Sequence, residues 1–134
     1  MKTINTNKLG IIGKFGEDEA IRLLIEKGYE IIGRNVICSG NEIDIIARDM
    51  KYIVFVEVKT RTAFHGLSRF GSAGSAVDSN KQSRIIAASR SYLKEAPHRR
   101  IPRYDVIEVY VEKTDKSITL QRINHIPKAF GGGR

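Results

Sequence analysis

Apolar positions along this chain recur with two periods, and each marks out a set of elements. From about Leu9 to Lys27, the residues Ile12, Phe15, Ala20, Leu23, Leu24 and Lys27 fall on one stripe of a helix, and Gly28 is placed to end it. A second helical period runs from about Asp78 to Lys94, with Asp78 or Ser79 as its cap and Ile85, Ala88, Tyr92 and Leu93 as its buried stripe. Elsewhere the period is two. Tyr29–Cys38, Glu42–Ala47, Tyr52–Lys59, Arg103–Glu112 and Ser117–Asn124 read as strands. Ser39-Gly40-Asn41, Arg48–Lys51 and Thr114-Asp115-Lys116 are the turns between consecutive strands. No period holds across Thr60–Ala76, which predicts a long loop carrying Arg61, His65 and Arg69. Residues 1–8 are polar and expected to fray, Pro97 and Pro102 bracket a basic linker, and Gly131–Arg134 reads as a flexible tail. The order αβββαββ predicts an α/β fold. It is a mixed β-sheet flanked by helices, in which the strand after the second helix reaches the sheet by a crossover.

The chemistry concentrates in two of these strands. Alternation puts Glu42, Asp44 and Ile46 on one face of the first and Ile43, Ile45 and Ala47 on the other. In the second, Val54, Val56 and Val58 oppose Phe55, Glu57 and Lys59. An even hairpin loop centred on Met50 and Lys51 sets Asp44 opposite Glu57 and Glu42 opposite Lys59, about 4.5 to 5.5 Å apart at Cβ. Carboxylates that close repel unless a cation lies between them. The pattern therefore predicts a divalent site, with Mg²⁺ (or Mn²⁺) on Asp44 and Glu57 and the Lys59 ammonium beside it, which is the equipment of phosphodiester hydrolysis. The plainer alternative is a charged, solvated sheet face, and the apolar setting of Glu57 in VFVEVK favours a cleft instead. Glu17, Asp18 and Glu19 lie inside the first helix, and periodicity does not choose which of Glu17 and Glu19 faces that cleft.

Length and charge sharpen this picture. The chain has 134 residues, enough for one domain with a real core, and a formal net charge of +8. Residues 1–80 hold 11 Lys and Arg against 10 Asp and Glu, whereas residues 81–134 hold 12 against 5. A basic half joined to an acidic cluster points to a nucleic-acid partner, with Lys81 and Arg84 near the start of the second helix and Arg61 and Arg69 in the loop as phosphate contacts. The single Cys38 excludes an intrachain disulfide, and the three histidines lack zinc-ligand spacing. Without a membrane span or signal-peptide core, the expected compartment is the cytoplasm.

With these residues in place, the sequence resembles the YraN-type family of small bacterial proteins, predicted nucleases related to the archaeal Holliday junction resolvases. The likeness rests on Gly16-Glu17 with Ala20, Gly28-Tyr29, Arg34-Asn35-Val36, Glu42–Ala47, Val54–Lys59, Phe70-Gly71, Ala76-Val77 with Lys81, and Arg103 with Asp105-Val106. Asn41 departs from it, standing where the family has Gly. The resemblance implies a restriction-endonuclease-like core. Glu17 would be the helix carboxylate, Asp44 and Glu57 the metal ligands, and Lys59 the catalytic lysine. The implied activity is Mg²⁺-dependent endonucleolytic hydrolysis of DNA, with branched or damaged DNA as candidate substrates, and a homodimer is what the resolvase likeness suggests. The competing expectations are a nucleic-acid binding module that keeps the fold without efficient cleavage, and a protein-interaction factor.

Overall fold

The computed structural model describes residues 4–64, 77–96 and 99–131. Its elements are α1 (Ile4–Glu26), β1 (Glu30–Cys38), β2 (Asn41–Arg48), β3 (Tyr52–Phe64), α2 (Ser79–Glu95), β4 (Ile101–Lys113) and β5 (Ile118–Phe130). The strands form one five-stranded sheet in the order β1-β2-β3-β4-β5. Among the described strands only β3 and β4 pair in parallel, and α2 lies between them in the chain. This is the αβββαββ arrangement expected of a restriction-endonuclease-like core.

Each helix covers one face. Ala20 and Leu24 of α1 pack with Ile45, Ala47, Val54, Val56, Ile107 and Val109, while Ile85 and Ala88 of α2 pack with Ile46, Ile53, Phe55, Tyr104 and Val106. The neighbours β3 and β4 sit in mid-sheet and carry apolar side chains to both sides, as a strand buried on both faces must. Asp78 caps α2, its carboxylate accepting from the Lys81 N–H at 2.8 Å. Gly28 ends α1 with φ 96°, a left-handed conformation that suits glycine.

Several boundaries differ from the sequence pattern. Helix α1 begins at Ile4 instead of Leu9, with a break at Gly10 (φ 60°, ψ −160°), so part of the segment expected to fray is helical. Strand β3 runs to Phe64 and not to Lys59, because β4 pairs with it in unbroken register as far as Phe64↔Lys113. Strand β5 continues past Asn124 to Phe130. It lies at the sheet edge, where Pro127 costs no ladder hydrogen bond. The rest of the expected loop (65–76), Pro97, His98 and the last residues of the tail (132–134) lie outside the described residues.

The lower end of the sheet is tied by a buried polar cluster. Arg103 donates to both carboxylate oxygens of Asp105, at 2.9 and 2.8 Å, and to the Tyr29 hydroxyl at 2.6 Å. His125 Nε2 meets Asp105 at 2.7 Å, and the Lys128 N–H donates to it at 3.1 Å. The other ring nitrogen of His125 lies 2.8 Å from Lys27 Nζ. An ammonium only donates, so Nδ1 accepts and Nε2–H faces Asp105.

Candidate functional site

The hairpin expected between β2 and β3 forms in the expected register. A turn built by Asp49, whose Oδ1 accepts from the N–H groups of Lys51 (2.9 Å) and Tyr52 (2.7 Å), joins the strands. The ladder then runs Arg48↔Ile53, Ala47↔Val54, Ile46↔Phe55 and Ile45↔Val56, and stops. The next rung would be Asp44 with Glu57. In its place, Asp44 Oδ2 accepts the Val58 N–H at 2.8 Å, so a side chain substitutes for the backbone partner. Two details of the expected pairing fail in consequence. Glu42 is not laddered to Lys59, and Ile43 packs on the α2 face with Ile46 instead of sharing a face with Ile45 and Ala47. The strand shifts phase at Asp44.

Asp44 and Glu57 still face one another. Burial is the main force raising the Asp44 carboxyl well above the usual carboxylate range, and the Glu57 charge adds to it, while the Val58 N–H opposes it. Burial also raises Glu57, against the charges of Lys81 and Lys59. Lys81, at the first turn of α2, brings Nζ to 3.6 Å from Glu57 Oε2. The other carboxylate oxygen of Glu57 is buried and has no hydrogen-bond partner among the described residues. Lys59 follows two residues on, partly exposed, abreast of Glu108 on β4. Glu108, which sequence reasoning did not single out, is buried and accepts from the Tyr110 hydroxyl (3.1 Å) and the Asn124 amide (3.2 Å).

Glu17 enters from α1. It is 5% exposed, whereas Glu19 is more open and pairs with Arg22 at 3.6 Å. Burial raises the Glu17 carboxyl, with Arg34 and Asn35 opposing, and the Glu17 charge in turn raises Asp44. Arg34 Nη2 lies 3.5 Å from Glu17 and 2.8 Å from Asp18. Its only signal in the sequence was its place in Arg34-Asn35-Val36. Helix α1 approaches β3 closely here, for a Cβ at Gly16 would run into the Thr60 hydroxyl and lie 3.1 Å from Thr60 Cβ. That contact fixes the depth at which Glu17 sits.

The other predicted residues lie around this cluster. Arg84 is exposed on α2, one turn beyond Lys81, and Arg61 is half-buried on β3 two residues past Lys59. Arg69 and His65 lie outside the described residues. Among the described residues no group of three or more His, Cys, Asp or Glu side chains is gathered as a ready ligand set. The pair Asp44 and Glu57 nevertheless suits a hard divalent ion: Glu57 is buried and Asp44 half-buried, both carboxyls stay raised despite the nearby lysines, one Glu57 oxygen has no hydrogen-bond partner among the described residues, and Mg²⁺ characteristically takes one or two carboxylates and keeps its waters.

A mixed α/β sheet with an acidic pair and lysines at the point where two of its strands part is the class that fold and site define. The model of the Uncharacterised protein family UPF0102 matches residues 16–109, a span that includes Glu17, the β2–β3 hairpin, Lys81 and Glu108. The chain is 40% identical over 131 residues to a UPF0102 protein of Caldanaerobacter subterraneus, covering 97% of this chain and 100% of that one. It is 42% identical over 120 residues to one from Geobacter metallireducens (89% and 91%) and 40% identical over 118 residues to one from Phocaeicola vulgatus (88% and 90%). The chain belongs to the UPF0102 family. Among the described residues no helix is long and apolar enough to cross a membrane.

Proposed function

We propose that the protein is a divalent-metal-dependent endonuclease that hydrolyses phosphodiester bonds in DNA. The observation that carries this reading is the meeting of half-buried Asp44 and buried Glu57, two carboxyls with raised pKa values and one oxygen without a hydrogen-bond partner among the described residues, beside Lys59 and Lys81. Asp44 and Glu57 would hold Mg²⁺ or Mn²⁺, with Glu17 as the third carboxylate. Such an ion, when bound, supplies a polarised phosphoryl oxygen and a water of lowered pKa. Lys59 stabilises the charge that grows on the phosphate, as a preorganised donor in a water-poor site does. Lys81 supplies positive charge to Glu57, Arg84 and Arg61 extend the basic surface along the phosphate backbone, and Arg69, outside the described residues, is a further candidate phosphate contact. Arg34 acts as a positioning residue, holding Glu17.

The test is incubation with labelled linear, branched and single-stranded DNA and with RNA, in Mg²⁺, in Mn²⁺ and in chelator. Metal-dependent cleavage that disappears in Asp44→Ala is the expected result. Binding without cleavage of any substrate would overturn the enzymatic reading and leave a nucleic-acid binding module, which the 12 Lys and Arg against 5 Asp and Glu in residues 81–134 would support.

A further inference from the structure

The opposite end of α2 carries a second charged feature that the acidic site does not use. A cavity of about 680 Å³ opens between α2, the starts of β3 and β4 and the end of β5. Its cations are Lys51, Arg90, Arg103 and Lys128, and no carboxylate is among its lining residues. Three of those cations converge on one ring: the Tyr52 centroid lies 4.6 Å from the Arg103 guanidinium, 5.3 Å from Lys51 Nζ and 5.7 Å from Lys128 Nζ. Asp105 neutralises Arg103, but Lys51, Arg90 and Lys128 have no carboxylate partner among the described residues. Like charges held around one ring repel one another, and an anion seated among them relieves this.

The same cavity has an aromatic wall. Phe55, Tyr104 and Phe130 stack in sequence from the core outward, with centroids 5.6 and 5.5 Å apart and planes within 25° and 27°. Phe130, the outermost ring, is only partly buried and lines the cavity. The chain closes over Tyr104 at Gly131, where φ is 70° and a Cβ would stand 2.6 Å from the ring, so no other residue fits there without displacing it. Stacked rings suit a planar base, unpartnered cations suit a phosphate, and the volume lies within the usual range of small-ligand pockets, about 300 to 1,000 Å³.

We propose that this cavity is a nucleotide-binding pocket, taking a base against Phe130, the outermost ring of the stack, and its phosphate among Lys51, Arg90 and Lys128. The pocket is separate from the acidic site. Arg90 is nine residues along α2 from Lys81, roughly 13 Å of helix rise, and Tyr52 is five residues along β3 from Glu57, roughly 16 Å of strand. The nucleotide can be a free monophosphate or one unit of a strand.

Amide NMR titration of the full chain without divalent ions tests this, using dAMP, dTMP, adenosine, inorganic phosphate and a short single-stranded oligodeoxynucleotide as probes. The expected result is saturable shifts at Tyr52, Arg90, Tyr104 and Gly131 with the monophosphates, and binding at least tenfold weaker for adenosine or phosphate alone. Arg90→Glu and Lys128→Glu, both on exposed positions, should each weaken it tenfold or more with unchanged melting curves. Shifts at those residues with the oligonucleotide alone would make the ligand a unit of a strand, and shifts with monophosphates would make a free nucleotide sufficient. Equal binding of bare phosphate, shifts confined to the neighbourhood of Lys59 and Lys81, or no saturable shifts would overturn the proposal. Because no divalent ion is present, each of these results stands apart from whether the acidic site cleaves.

Discussion

Asp44 and Asp105 lie in the same sheet and are both drawn into its interior, yet their surroundings have opposite effects. Burial pushes both carboxyls up. At Asp105, hydrogen bonds from His125, Arg103 and the Lys128 N–H outweigh burial and hold the group below the usual carboxylate range. At Asp44, one backbone N–H is opposed by the neighbouring charges of Glu57 and Glu17, and the group stays well above it. A buried charge with a full set of partners holds elements together, here β4, β5 and, through Arg103 and Tyr29, the start of β1. A buried charge without them is a position where something else must bring compensation, and perturbed carboxyls of that kind are characteristic of functional sites.

The largest effect expected from breaking this contrast is at the satisfied carboxylate. Asp105→Ala strands Arg103 and His125, and loss of one partner from a buried ionic cluster costs about 3 to 5 kcal/mol. Urea unfolding should show this loss, and a change under about 1 kcal/mol would mean that the cluster contributes little to stability. On the unsatisfied side, Lys59→Ala should lower cleavage by about 10² to 10³ fold, the scale of losing one charge-stabilising donor, while leaving divalent-ion binding nearly intact. If the variant melts far below the parent and its ion-bound form cleaves normally, Lys59 is a structural counter-charge. Gly16→Ala is expected to cost about 1 to 3 kcal/mol by pushing α1 off Thr60. Adding Thr60→Ala should restore part of that, which a double-mutant cycle of melting curves would show.

Opposite pKa shifts also give opposite pH dependences. The lowered Asp105 carboxyl contributes stability that is complete above the ordinary aspartate pKa, near ~3.9, and is lost as pH falls through its folded-state value. For Asp44 the sign reverses: the folded chain holds the proton more tightly than the unfolded chain, so its contribution is complete below pH ~3.9 and is lost as pH rises through the raised value. Asp44→Asn should therefore flatten the decline of stability on the alkaline side of that window, and leave the acid limb unchanged. Unfolding free energies measured across pH in chelator would check both limbs.

The sequence made much of the acidic site legible and almost none of the satisfied one. Hairpin register follows from an even loop and an Asx turn at Asp49, both local, so the rungs from Arg48↔Ile53 to Ile45↔Val56 could be anticipated. The rung that fails depends on a bond from a side chain to a neighbouring strand, which alternation does not encode. Glu19 falls near the middle of the helical stripe and Glu17 at its margin, so periodicity leaves the choice open; the family resemblance favours Glu17, and in the structure Glu17 is buried beside Arg34 whereas Glu19 pairs with Arg22. Asp105 sits in a run that reads as an ordinary buried strand, and its partner His125 comes from a strand whose continuation through Pro127 carries no apolar alternation. The length of β3 was likewise hidden, because its last residues are ordered by pairing with a strand far along the chain.

Whether the raised pair Asp44 and Glu57 is a divalent-ion site is tested most directly by calorimetric titration with Mn²⁺ in buffers of different ionisation enthalpy. Where such a carboxyl carries its proton, ion binding displaces it. Saturable binding is expected, with proton release at pH values below the raised Asp44 pKa, abolished in Asp44→Asn and retained in Asp105→Asn. Binding of equal strength in Asp44→Asn, or binding with no proton release at a pH where the pair is protonated, would contradict it.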